Sequence, residues 1–199
     1  MHVAEAASRL FRAYSRFCKD PDPDALFNTL SAMHSLNDRL KRATHDDFHK
    51  FEQFLALKVL RNLTHHVEEV RANVRLLPMP GFSDLAVLCI VRRDQVERAI
   101  VGVNEKWQGT TRAACERMLH WYGPAVNINP CLFNFMVRAY EMLEKENLTP
   151  GDDSIEAFRE SYQFEEVNGH SHFVDGRIHA RATDIASILS AVVEQMPAP

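Results

Sequence analysis

From Phe48 to about Arg75 the chain contains neither glycine nor proline. Its apolar residues there, Phe48, Phe51, Phe54, Leu55, Leu57, Val59, Leu60, Leu63, Val67, Val70 and Val74, recur at the 3.6-residue spacing of an amphipathic helix. No other feature restricts the fold as much, because a long one-sided helix must bury its apolar stripe against other elements. The segment "THDDF" supplies a start: Thr44 can cap the first N–H groups, and Asp46 and Asp47 complement the positive helix end.

The rest of the chain reads as further helices. Ala6, Leu10, Ala13, Tyr14 and Phe17 make an apolar face opposite Arg9, Arg12 and Arg16. "DPDPDA" stops that helix and starts a second from about Pro23 to Arg42. A loop is expected at about 77–84. "LAVLCIV" fits a strand or a buried helix, and the helical pattern of "RRDQVERAIVGVNEKW" after it tilts the reading to helix. Residues 111–122 form a helix stopped by Gly123 and Pro124, and "NPCLFNFMVRAYEMLEKENL" forms another, with Asn129 as cap. Ser154 caps a short helix and Thr183 the last one, and "FEEVNGHSHFVDGRIHARA" between them allows one small β-hairpin. The fold class expected is all-α, a helical bundle over 1–149 with a C-terminal helical extension over 150–199 on the same body.

At 199 residues, 46% apolar and 25% charged, the chain has an ordinary globular composition and needs no staples. Cys18, Cys89, Cys115 and Cys131 are widely spaced, with no C-x-x-C pair, signal peptide or long apolar run. A cytoplasmic protein with reduced cysteines and no membrane attachment is therefore expected. The formal net charge of -4 excludes coating nucleic acid by bulk charge, yet residues 1–80 carry +2 and residues 81–199 carry -6.

The basic half holds "KVLRNLTHHVEEVR", Lys58 to Arg71. At about 100° per residue, Arg61 and His65 lie about 40° apart on a helix, and Arg61 and His66 about 140° apart. Periodicity by itself favours a solvated face on which Arg61 pairs with nearby carboxylates such as Glu68 or Glu69.

"RNLTHH" also resembles the R-x(4-6)-H motif of the HEPN superfamily, and "FNTLSAMHSLNDRLKRA" followed by the long helix resembles the paired core helices that carry it. Val67 and Glu68 stand where HEPN toxins paired with minimal nucleotidyltransferases have x-Tyr, so the likeness is to the superfamily and not to that subgroup. The resemblance implies an all-helical homodimer that cleaves RNA without a metal or other cofactor, in toxin–antitoxin, phage-defence or stress-response settings, with an antitoxin or regulatory protein as a further partner. Arg61 and His66 would be catalytic, and Asn62 and His65 supporting. Arg39, Lys41, Arg42, Lys58 and Arg71 would hold the RNA backbone. The alternative is a HEPN-like dimerisation or partner-binding module without catalysis.

The residue types suit the chemistry. Metal-free RNA cleavage needs a base for the 2'-hydroxyl proton, an acid for the leaving 5'-oxygen and a cation against the charge on phosphorus. Histidine titrates near neutral pH, and arginine offers a permanent planar fork. Other constellations read as structural. His170, His172 and His179 lack a completing ligand set, Cys131 and His120 have no reason to meet, and Trp107, Trp121 and Tyr122 suit core or interface anchors. No phosphate-cradling glycine loop occurs.

Overall fold

The structure, a computed structural model, describes residues 2–66, 70–78, 85–177 and 184–198. Helix α1, His2–Lys19, turns at "DPDP" into α2, Pro23–Thr44. Asp22 caps α2, its Oδ1 accepting from the Ala25 N–H at 2.6 Å, with Pro23 in the first turn where no N–H is needed. Helix α3, Glu52–His66, returns along α2, and α4, Arg93–Val101, α5, Glu105–Met118, and α6, Asn129–Lys145, pack around it. The shared core includes Leu10, Phe11, Met33, Leu36, Phe48, Phe54, Leu57, Leu60 and Phe135, all at most 2% exposed. Each such large side chain contributes about 1.5–3 kcal/mol by leaving water.

The long helix expected from Thr44 to Arg75 is divided. Thr44 instead closes α2: its hydroxyl donates to the Leu40 carbonyl at 3.0 Å and accepts from the Asp46 N–H at 3.2 Å. His45 then takes a left-handed φ of 63°, and a single 3-10 turn, Phe48–Lys50, precedes α3. Asp47 caps that turn, accepting from the His49 N–H at 2.9 Å. The buried Asn37 ties it to α2 by accepting from the Phe48 N–H at 2.8 Å.

At its far end α3 stops at His66, and strand β1, Ala72–Pro78, follows. Val70, Ala72, Val74 and Leu76 alternate with Arg71, Asn73 and Arg75, so Val70 and Val74 satisfy a helical and a strand period together. "LAVLCIV" is strand β2, Leu85–Arg92, and not helix; the helical pattern after it is the separate α4. The helix expected to reach Tyr122 ends at Met118, and β3, His120–Tyr122, turns at Gly123, φ 61°, into β4, Ala125–Asn127.

The four strands form one antiparallel sheet, order β1-β2-β4-β3. Cys89, Val91 and Val126 face the helical core, while Leu88, Ile90 and Ala125 pack with Val192 of α8, Ile185–Glu194. Burial on both faces explains the unbroken apolar run of β2. The chain after α8 is fastened to the sheet: Asn73 Nδ2 donates to the Gln195 carbonyl at 2.9 Å and Arg92 Nη1 to that of Pro197 at 3.4 Å.

The hairpin expected within "FEEVNGHSHFVDGRIHARA" is not formed among the described residues: α7, Glu156–Val167, takes its first part, and 168–177 contain no strand. Thr183 and His179 lie outside the described residues. The fold is therefore mostly helical, with a small antiparallel sheet that an all-α reading does not include. The four cysteines are free, with Cys18 exposed and the others buried. Among the described residues no helix is long and apolar enough to cross a membrane.

Candidate functional site

Lys58, Arg61, Asn62 and His65 fall within about 100° of one another around α3, because steps of three, four and seven residues return to one side of a helix. The apolar residues Leu57, Leu60 and Leu63 occupy the other side, in the core. Arg61 is half-buried and His65 exposed, and His66 is the last helical residue, its side chain outside the described set.

Arg61 has no carboxylate partner among the described residues; its Nη1 donates to Asn62 Oδ1 at 3.3 Å. Its Nε is buried without a hydrogen-bond partner among the described residues. An unsatisfied buried donor costs about 1–3 kcal/mol. Asn62, expected as a supporting residue, braces Arg61. Glu68 and Glu69, the carboxylates proposed for Arg61, lie outside the described residues.

Facing α3 are residues that sequence reasoning passed over. His49, delivered by the 3-10 turn, sets its Nδ1 3.2 Å from Asp47 Oδ2 and its Nε2 2.9 Å from Lys58 Nζ. A carboxylate requires a donor at Nδ1 and an ammonium requires an acceptor at Nε2, so neutral imidazole with its proton on Nδ1 satisfies both. Lys41 Nζ stands 3.6 Å from the same Asp47 oxygen. On α2, His34 places its Nδ1 3.5 Å from Asp38 Oδ2. Both rings lie near the buried Phe54, His49 edge-on at 5.0 Å between centroids and His34 at 6.4 Å.

Burial, together with the charge of Lys58, pushes the His49 pKa below 6.5, outweighing Asp47 and its hydrogen bond. Burial does the same to His34, with Arg61, Lys58 and His49 adding to it and Asp38 opposing. Lys58 is lowered too, by burial first, with Lys41 and Arg61 helping against Asp38 and Asp47. Although burial would raise Asp47, the His49 N–H, the His49 ring and Lys41 hold its carboxyl below the usual range. The face thus joins two neutral imidazoles, a perturbed lysine and an arginine that meets no carboxylate among the described residues, a set suited to binding a phosphate and moving protons beside it.

Of the residues expected to hold RNA, Lys41 and Lys58 belong to this face. Arg42 lies on the Asp38 side of α2, about 40° from it, and Arg39 about 100° round. Arg71 is at the sheet, its Nη1 donating to the Ala198 carbonyl at 3.3 Å. His34 and Asp38, four apart on one helix, and Asp47-x-His49 were the available signals. Neither spacing says that both meet α3.

The remaining candidates are placed elsewhere. Cys131 is buried with its thiol pushed well up by desolvation, its Sγ 3.7 Å from the Gln53 carbonyl, so it is no nucleophile for His120. His172 stacks on Tyr162 at 3.6 Å and pairs with Glu165 at 2.9 Å. Trp107 is 56% exposed, whereas Trp121 is partly buried, its Nε1 donating to the Cys115 carbonyl at 3.2 Å. No group of three or more His, Cys, Asp or Glu among the described residues is placed to hold a metal ion. A groove of about 740 Å³ between α1, α6 and α7 has an apolar floor including Phe11, Phe133, Phe158 and Tyr162, and Arg12 and Arg16 at its rim are paired with Asp152 and Asp22. Comparison of the chain with protein-family models, with curated proteins and with solved structures gives no match in any of the three.

Proposed function

We propose that this chain is a metal-independent endoribonuclease of the HEPN type, working in the cytoplasm as a homodimer under the control of an antitoxin or regulatory protein. The observation that carries the reading is Arg61, a half-buried guanidinium with no carboxylate partner among the described residues, close to the neutral ring of His34 and one helical turn from Lys58, which meets the neutral ring of His49. Arg61 takes the phosphate, with Asn62 bracing it, and His66 is the proton-transfer histidine of the motif, supported by His65. In the reaction a base removes the 2'-hydroxyl proton, the 2'-oxygen bonds to phosphorus, and the bond to the 5'-oxygen breaks as that oxygen takes a proton. The products are a 2',3'-cyclic phosphate and a 5'-hydroxyl. A two-fold dimer would bring a second Arg61 and His66 to the same groove.

The test is digestion of end-labelled RNA in EDTA by wild-type, Arg61→Ala and His66→Ala proteins, with analysis of the ends. The expected result is cyclic-phosphate ends from the wild type alone. Cleavage undiminished in both variants contradicts the assignment. A second reading, a non-catalytic dimerisation or partner-binding module, draws on α8, where Ile185, Leu189 and Val193 form an exposed apolar stripe. A dimer that leaves RNA intact while Leu189→Glu makes it monomeric favours that reading.

A further inference from the structure

We infer that Lys58 and Arg61 together form a phosphate-oxyanion receptor, in which the Asp47–His49 pair aims the lysine and His34 lines the approach from α2. Lys58 and Arg61 are three residues apart and therefore neighbours on one side of α3. Neither has a carboxylate within ion-pair distance among the described residues, although Asp38 and Asp47 stand nearby. Two partly buried cations side by side repel each other, and an anion between them relieves both.

The placement of Asp38 and Asp47 keeps both carboxylates off the two cations. Asp47 is turned onto its own turn: it accepts from the His49 N–H at 2.9 Å, meets the His49 ring at 3.2 Å and faces Lys41 at 3.6 Å. Asp38 is turned to His34 at 3.5 Å. Each carboxylate holds a histidine, and neither comes within ion-pair distance of Lys58 or Arg61. With Nδ1 of His49 fixed on Asp47, its Nε2 takes one of the three ammonium protons of Lys58, and two remain to donate. A planar fork beside a fixed point donor suits a tetrahedral phosphodiester better than a carboxylate, which one fork already satisfies.

The site rests on this geometry. That the phosphodiester belongs to RNA rests on the ribonuclease reading above. Lys58 and Arg61 would touch the ligand, whereas Asp47 and His49 are positioning residues.

Ring ¹H–¹⁵N spectra of His34 and His49 test the inference, recorded across pH with inorganic phosphate or with an uncleavable 2'-O-methyl oligonucleotide. Either probe, once bound, should raise both titration midpoints, since an adjacent anion favours imidazolium. Lys58→Gln and Arg61→Gln should each raise the concentration needed at least tenfold, while Arg98→Gln leaves it unchanged. Asp47→Asn should weaken binding and lower the His49 midpoint in the free protein, a change that general loosening of the fold would not give. Midpoints that neither probe moves, or saturation unaltered in Lys58→Gln, overturn the receptor. Binding of both probes by a protein that leaves unmodified RNA intact upholds the receptor and rejects the ribonuclease. Binding of phosphate alone upholds the receptor and rejects the polymer. RNA cleavage undiminished in Lys58→Gln rejects the role of Lys58 while the ribonuclease stands.

Discussion

Two faces of this molecule are equally rich in charge and differ in how the charge is used. Around α4, Asp94 takes Arg92 at 2.9 Å and Arg98 at 2.9 Å, and Glu97 takes Arg112 at 2.8 Å and Arg93 at 3.8 Å. Each of these arginines meets a carboxylate, most of the pairs stand in solvent, and no histidine belongs to the group. Such pairs contribute about 0–1 kcal/mol apiece. On the α2–α3 face the carboxylates hold histidines, Lys58 meets an imidazole, and Arg61 meets an amide. Charge by itself does not separate these faces. What separates them, among the described residues, is that the arginines of one group meet carboxylates, whereas Lys58 and Arg61 of the other meet an imidazole and an amide.

Arg61→Ala should sharpen that difference most, lowering RNA cleavage by about 100-fold or more, as loss of a donor to the transition-state phosphate does. The same assay on Arg98→Ala should show unchanged cleavage and a stability within about 0.5 kcal/mol of wild type. If both variants cut alike, the distinction between the faces fails. Asn37→Ala should come next. It strips the Phe48 N–H of its buried acceptor, costing about 1–3 kcal/mol in urea unfolding. Because that bond seats the turn carrying Asp47 and His49, cleavage should fall as well under conditions where the variant is fully folded.

Acid should also tell the faces apart. His34 and His49 have folded pKa values below 6.5, so the stability linked to their neutral rings is fully present above 6.5 and is lost as pH falls through the lower folded values. Urea midpoints measured from pH 7 to 5 should decline less steeply in the double variant His34→Gln, His49→Gln. An equal slope would mean that these rings are not held neutral.

The smallest effect is the most counter-intuitive. The Lys58 pKa is lowered, so at neutral pH the half-buried ammonium is a cost, one that is relieved as pH rises through the folded value and is gone above 10.5. Lys58→Met should therefore raise the melting temperature slightly while weakening phosphate binding, a trade expected of a functional residue. A lower melting temperature would make Lys58 a structural group.

Sequence pattern carried part of this site. Arg61, Asn62 and His65 follow from a short motif on a periodic segment, and Lys41 and Lys58 from charge. His34, Asp38, Asp47 and His49 were hidden because the apolar period runs on through Phe48, Phe51 and Phe54, across the very turn that brings Asp47 and His49 to α3. The fold was obscured in the same manner. Val70 and Val74 obey two periods, and a strand buried on both faces, as β2 is, has no alternation to show. By contrast, the start of α2 was legible from Asp22 and Pro23, since capping is decided by adjacent residues and needs no tertiary contact.

The central claim, that RNA is bound at the α2–α3 face and not at the paired α4 face, is tested most directly by photo-crosslinking. The probe is an uncleavable 2'-O-methyl oligonucleotide carrying 4-thiouridine, and the crosslinked peptides are mapped by mass spectrometry. The account predicts adducts on peptides containing His34 to Lys41 and Asp47 to His66, lost in Arg61→Gln. Adducts concentrated between Arg92 and Arg112, or unaffected by that substitution, would contradict it.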